Sequence, residues 1–482
     1  MNTVQKIVKN TVVLLISEVI TKVLGFFYVM YTARYLGAER FGSLSFALAF
    51  TGLFGIFADL GLQQLTVREV ARDKSLAERY LGNLAAMKLI LVGLTYILIA
   101  VAINLLGYPE KTIKIVYLIA LAVIVARFCT IFYAIFQAYE KMEYQSLGQI
   151  LNSILMLGGA FFAISKRFDI IGFAYIYVIA NIIVLIYASA ICTWNLFLPR
   201  IKFDFGFWKP AIKEALPFGL TGIFVTIYYY TDTVMLSLMV SNANEVIGWY
   251  NAAYKLILVF LLIPIAYFTA IFPVISRLYK TSKDSLNFIY ERSFKFMIIL
   301  AIPIGVVTTL LANEIILLIF GWEYMPAVAA LRILVWSSVF IFVGSVFSRL
   351  FESINRQGIV TKIAAIFAIL NVFLNMLLIP KYSYIGASIT TVITMFAALV
   401  LSYIWSLKLD YPLQKKQLLD TGKVAIGSVL AGIFIKLLNL NLLGSILLFG
   451  LLYFIVLCAF KVIRKDDTNL FKRIIVGGGA EK

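Results

Sequence analysis

Phe41-Gly42-Ser43-Leu44-Ser45-Phe46-Ala47 and Ile247-Gly248-Trp249-Tyr250-Asn251-Ala252-Ala253 each open a long apolar run with a glycine in second place. Other matches follow in the same order. Arg72-Asp73-Lys74-Ser75-Leu76 corresponds to Ser282-Lys283-Asp284-Ser285-Leu286, and Phe136-Gln137-Ala138 to Phe351-Glu352-Ser353. Ile171-Gly172-Phe173-Ala174 then corresponds to Ile385-Gly386-Ala387-Ser388. The offset drifts from about 206 to about 215 residues, as a duplicated unit with small insertions would. Each match alone is weak, and their shared order carries the argument.

The runs around these matches are membrane-spanning in length. Of the 482 residues, 62% are hydrophobic and only 14% charged, with a mean hydropathy of +0.97. Soluble domains hold about a quarter charged residues. Crossing about 30 Å of hydrocarbon takes roughly 20 apolar residues. Such runs fall near 10–33, 42–64, 81–106, 112–137, 146–165, 170–193, 214–240, 246–275, 288–312, 327–349, 359–380, 384–406, 423–439 and 442–462. The predicted fold is an all-α polytopic membrane protein of fourteen transmembrane helices. Six spans separate the repeat copies; six is even, so the copies have the same orientation and form two parallel six-helix lobes. Two extra C-terminal helices have no counterpart.

This divides the chain into a first lobe (1–193, spans 1–6), a cytoplasmic basic linker (194–213), a second lobe (214–410, spans 7–12) and a final segment (411–482). Most of the 42 Lys and Arg fall in the even-numbered connections and the two tails. By the positive-inside rule those regions, and both termini, are cytoplasmic. The same rule accounts for the net charge of +18 without a nucleic-acid partner. The longest internal connections are 66–80, 194–213 and 276–287. Arg68, Arg72 and Arg79 suit an amphipathic segment lying at the membrane surface. The first apolar run is too long for a signal-peptide core and reads as a span. Gly477-Gly478-Gly479 reads as a flexible tail. There is no histidine, and the three cysteines lack metal-like spacing, so neither a metal nor a cofactor is expected.

The exit of the first span, Tyr31-Thr32-Ala33-Arg34-Tyr35-Leu36-Gly37, with Phe41-Gly42, resembles that of the polysaccharide-type flippases. So do Phe57-Ala58-Asp59-Leu60-Gly61-Leu62, and Ile319-Phe320-Gly321 with Tyr324 and Leu331-Arg332-Ile333-Leu334. These are the O-antigen and teichoic-type flippases of the multidrug/oligosaccharidyl-lipid/polysaccharide exporter superfamily. The resemblance covers essentially the whole chain. It implies a cell-membrane transporter, not an enzyme, which turns a polyprenyl-pyrophosphate-linked oligosaccharide to the outer leaflet by alternating access. It also implies membrane lipids as surroundings, with polysaccharide polymerases or glycosyltransferases as partners. The related lipid II flippases carry an Arg-Asp pair in the first span; here Phe26-Phe27-Tyr28 stands there, which weighs against that substrate.

Ionisable residues deep in spans are costly and face cavities or partners. Counting at 1.5 Å per residue puts Glu18, Asp59 and Arg127 at similar depth, with Lys22 one turn further along span 1. Asp232 and Lys255 share a depth in the second lobe. On one reading Lys22, Arg127 and Lys255 attract the pyrophosphate, while Glu18, Asp59 and Asp232 take a coupling proton or Na⁺. On the other, Glu18–Lys22, Asp59–Arg127 and Asp232–Lys255 are neutralised structural pairs. Lys88 is close enough to the surface to snorkel, and Arg34 and Arg332 anchor span ends. Tyr228, Tyr229 and Tyr230 are candidates for stacking on sugar. Pro217, Pro264 and Pro303, with Gly219 and Gly305, are candidate hinges.

Rival functions lack their signatures. A glycosyltransferase or ligase needs larger outer loops with grouped carboxylates, and an ATP-driven exporter needs a phosphate-cradling loop. A cation-coupled multidrug antiporter of the same superfamily is the nearest alternative, usually with twelve spans.

Overall fold

The computed structural model describes residues 3–198, 200–438 and 440–462. The glycines at 477–479 lie outside them. Every regular element among the described residues is helical, the form that satisfies each backbone N–H and C=O within lipid. Twelve helical segments are long and apolar enough to cross a membrane. Two of them are double: Thr3–Phe54 breaks at Gly37 (φ 75°) and Gln357–Lys408 at Ser383 (φ 52°). Counting both as hairpins gives fourteen spans.

Spans 3 to 6 are Ala77–Leu105, Glu110–Ala138, Met142–Ser165 and Ile170–Asn195. Span 7 is Phe205–Met239, span 9 Lys283–Leu310 and span 10 Ala327–Ser353. Span 8 is Ala243–Phe260, continued beyond Leu261 by Leu262–Thr281. Lys415–Leu437 and Leu442–Ala459 complete the set as spans 13 and 14.

Two expected connections are shorter than their polarity suggests. The helix of span 7 begins inside the 194–213 linker, because Asp204 caps it by accepting the Phe207 N–H at 3.1 Å. The 276–287 connection shrinks to a break at Ser282, whose hydroxyl caps span 9 through the Ser285 N–H. The 66–80 stretch holds the rest of an amphipathic helix, Leu62–Arg72, which carries Arg68 and Arg72, whereas Arg79 falls in span 3.

We call the face on which the chain begins proximal and the opposite face distal. The apolar core is divided in a way that locates the opening. In the distal half one continuous core joins the lobes: Tyr28, Leu36 and Phe41 pack in the same cluster as Leu236, Ile247, Leu331 and Leu334. In the proximal half there are two cores. One holds Leu65, Leu81, Phe136 and Cys192 of the first lobe, the other Phe268, Phe294, Phe347 and Tyr453 of the second lobe and final pair. The lobes are fused at one end and touch along only one edge at the other.

The repeat glycines lie in the fused half. A Cβ on Gly42 would overlap the Asn244 carbonyl, and one on Gly248 would overlap the Ala38 carbonyl. The two contacts are related by the same sequence offset, so the local two-fold axis of the repeat passes between them. Only glycine lets the two backbones come this close.

Candidate functional site

A cavity of about 500 Å³ lies between the lobes. Glu18, Thr21, Lys22, Gly25, Phe26 and Val29 recur at helical spacing on span 1 and present one face to it. Spans 4, 5 and 6 add Cys129, Tyr133, Gln149, Asn152, Ser153 and Asn181. Span 8 of the other lobe supplies Lys255, Leu256, Leu258 and Val259, and Phe320 joins the lining from the loop before span 10.

Two cations from opposing lobes therefore share one space. Lys22 lies 3.6 Å from Glu18, but these side chains are 44% and 36% exposed, so the pair is long and weakly held. Lys255 is half-buried and has no carboxylate or hydrogen-bond partner among the described residues. A cation at membrane depth with no countercharge of its own is costly, which makes Lys255 a functional-site candidate.

The other buried charges depart from the pairings expected by depth. Asp59 pairs with Lys88 at 2.5 Å, not with Arg127. Span 2 loosens into a 3-10 turn over Gly55–Ala58, then passes through positive φ at Leu60 and Gly61. That bend carries Asp59 sideways to span 3. Lys88 does not snorkel: its side chain is 1% exposed and also donates to Thr130 Oγ1 (2.6 Å) and the Arg127 carbonyl. Arg127 lies beside Gly55 and is absent from the cavity lining.

Asp232 is not paired with Lys255 either. Its carboxylate accepts from Tyr250 Oη (2.5 Å), Thr391 Oγ1 (2.8 Å) and Asn375 Nδ2 (2.6 Å), all within the second lobe. Asn375 in turn donates to Asn371, and the Asn375 carbonyl oxygen has no partner. The three tyrosines also lie elsewhere. Tyr228 packs edge-on against Phe367, Tyr229 against Tyr254, and Tyr230 lies against Gly52 at the lobe seam. None of the three lines the cavity.

The distal end is shut by two reciprocal caps. The Glu323 carboxylate accepts the Ala38 N–H at 2.6 Å, at the start of span 2 just after the Gly37 break. Arg34 of the first lobe donates to the Ile319 and Leu318 carbonyls, which end the short helix Ala312–Ile319. Tyr324 Oη donates to the Ala33 carbonyl and the Trp249 indole to the Glu323 carbonyl. The 31–37 and 319–324 motifs are thus the two sides of one seal. Arg34 does tie a span end, but across the lobes.

Residues 7–279 match the family described as polysaccharide biosynthesis protein, more than half of the chain. The chain belongs to this family. Residues 217–377 also match the MatE family, consistent with the broader exporter superfamily. The "Probable low-salt glycan biosynthesis flippase Agl15" of Haloferax volcanii is 24% identical over 84% of this chain and 85% of its own length. "Capsular polysaccharide biosynthesis protein CapF" of Staphylococcus aureus is 23% identical over 82% and 98%. Among solved structures, a lipid II flippase in an inward closed conformation superposes with a TM-score of 0.74. That match is at 18% identity over 96% of this chain and 99% of that one. The chain therefore shares its multi-pass membrane fold with that structure.

Several site residues escaped the sequence reading. The amides Gln149, Asn152 and Asn181 in the cavity, and Asn371, Asn375 and Thr391 around Asp232, are uncharged and drew no weight. A signal was there: 149, 152 and 153, like 371 and 375, are polar residues one turn apart inside apolar runs.

Proposed function

We propose that this family member is a flippase. It carries a polyprenyl-pyrophosphate-linked oligosaccharide from the cytoplasmic to the outer leaflet by alternating access between its lobes, for cell-surface glycan synthesis. The observation that carries the reading is the pair Lys22 and Lys255, one from each lobe, with Lys255 lacking a carboxylate. A diphosphate bound between them draws the lobes together by charge, so loading the site favours movement of the lobes. The excess of Lys and Arg assigns the proximal face to the cytoplasm, with both termini there, and the cavity then lies open to the inner leaflet. Polymerases and glycosyltransferases of the same pathway are the partners this role implies.

Asp232 is the candidate coupling site, for Na⁺ or a proton. A carboxylate ringed by hydroxyl and amide groups offers the oxygen ligands a small hard cation prefers. Asp59 is held by the buried Lys88, and Glu18 has only the loosely paired Lys22 beside it, so both rank below Asp232.

The MatE match over 217–377 favours a second reading, a cation-coupled drug antiporter. A cavity for cationic drugs needs net negative charge, whereas this one holds two lysines against one glutamate. Proteoliposomes separate the two. An inner-leaflet polyprenyl-pyrophosphate glycan becomes accessible to an external enzyme with the wild type, and at least tenfold more slowly with Lys255→Met, a loss of about 1.4 kcal/mol. Extrusion of a cationic dye without any glycan exposure would instead establish the antiporter.

A further inference from the structure

The first-lobe side of the cavity is lined by amides as well as charge. Gln149 and Asn152, a turn apart on span 5, and Asn181 on span 6 all face it. Their protein hydrogen bonds are incomplete. Asn152 donates to Asn181 Oδ1 at 3.3 Å, and Asn181 donates to the Tyr177 carbonyl at 2.8 Å. Ser17 donates to Gln149 Oε1 at 3.5 Å. Among the described residues, the Gln149 NH₂ has no acceptor and the Asn152 carbonyl oxygen no donor. At membrane depth such groups are expensive unless a ligand or water completes them.

The array has the chemistry of sugar recognition. The open groups are a donor, the Gln149 NH₂, and an acceptor, the Asn152 carbonyl, which a hydroxyl or an acetamido group can meet together. An anion would be served better by more lysines, and an acyl chain by leucines. The volume of about 500 Å³ is that of a site for one headgroup, not for a long glycan. We propose that Gln149, Asn152 and Asn181 form a subsite for the sugar attached to the pyrophosphate. Lys22 and Lys255 hold the diphosphate, and the remaining glycan extends toward the proximal opening. This subsite rests on the flippase reading and gives it its specificity: the lysines hold any such lipid, and the amides select the sugar.

Two probes separate the subsites on the full-length protein in nanodiscs: polyprenyl pyrophosphate, and the same lipid carrying one N-acetylglucosamine. The wild type binds the sugar-bearing probe about tenfold more tightly, the worth of one to two net hydrogen bonds. Asn152→Leu with Asn181→Leu brings that ratio to about one and leaves the affinity for the bare lipid unchanged, which also shows that the variant is folded. Should the double variant lose both affinities, Asn152→Ser and Asn181→Ser are measured in its place, with the same ratio expected. Lys22→Met with Lys255→Met weakens both probes equally. An unchanged ratio in the amide variants, or no sugar preference in the wild type, overturns the subsite while bare-lipid binding leaves the flippase reading standing. If neither probe binds the wild type, both readings fall together.

Discussion

The distal and proximal halves of the lobe interface use the same pair of lobes in opposite ways. Distally, the backbones meet at Gly42 and Gly248, the cores merge, and each lobe caps a helix end of the other through Glu323 and Arg34. Proximally, contact narrows to one edge. There Gly61 at the end of span 2 abuts Ala215 and Gly219 of span 7, and Arg68 bridges Glu69 and Glu214. On span 1, Val12, Ile16, Val19 and Val23 are exposed. The difference shows where the closure is tight. On the proposed alternating-access cycle, helix-end caps and backbone contacts act between whole rigid elements, so they form or break together.

Substitutions at four positions probe this contrast. The largest effect concerns what is not part of the seam. Asp59→Asn leaves Lys88 buried without its counterion and costs about 3–5 kcal/mol of first-lobe stability. It is read as a lower melting temperature with no change in distal accessibility. Gly42→Ala acts on the seam itself and weakens distal closure by about 1–3 kcal/mol, the range for overpacking. A cysteine placed at Phe320 then reacts faster with an impermeant thiol reagent applied to the distal face. Unchanged labelling would mean the glycine contact does not hold the closed state. Glu323→Ala removes the cap on span 2, worth about 1 kcal/mol, and raises the same labelling by several-fold. Glu323→Gln, which keeps an acceptor, raises it less. The smallest effect is expected proximally. Arg68→Ala breaks ion pairs whose side chains are partly exposed, so stability falls by no more than about 0.5 kcal/mol in a salt-dependent manner.

The hinge candidates divide in the same way. Pro217 and Gly219 lie where span 7 passes from the first-lobe core, which includes Ala211 and Ala215, toward the second lobe. Pro303 and Gly305 are buried within span 9, and Gly305 is packed against Val339 and Trp336. Pro217 is exposed, whereas Gly219 packs against the Leu60 backbone much as Gly305 packs against Val339, a distinction that composition could not make.

Hydropathy and the order of weak matches were enough for the span count, the parallel repeat and the two-helix appendix. These depend on run length and on counting, which are local and survive any rotation of a helix about its axis. Of the three cavity cations expected, Lys22 and Lys255 line one space and Arg127 does not. Partnership was not legible. Asp59 chose Lys88 because span 2 bends at 55–61, and Asp232 found Tyr250, Asn375 and Thr391 because spans 8, 11 and 12 turn those side chains inward. Which neighbour a buried group faces is set by helix azimuth and by kinks. Those follow from packing among all the spans at once, and only the assembled bundle contains that information.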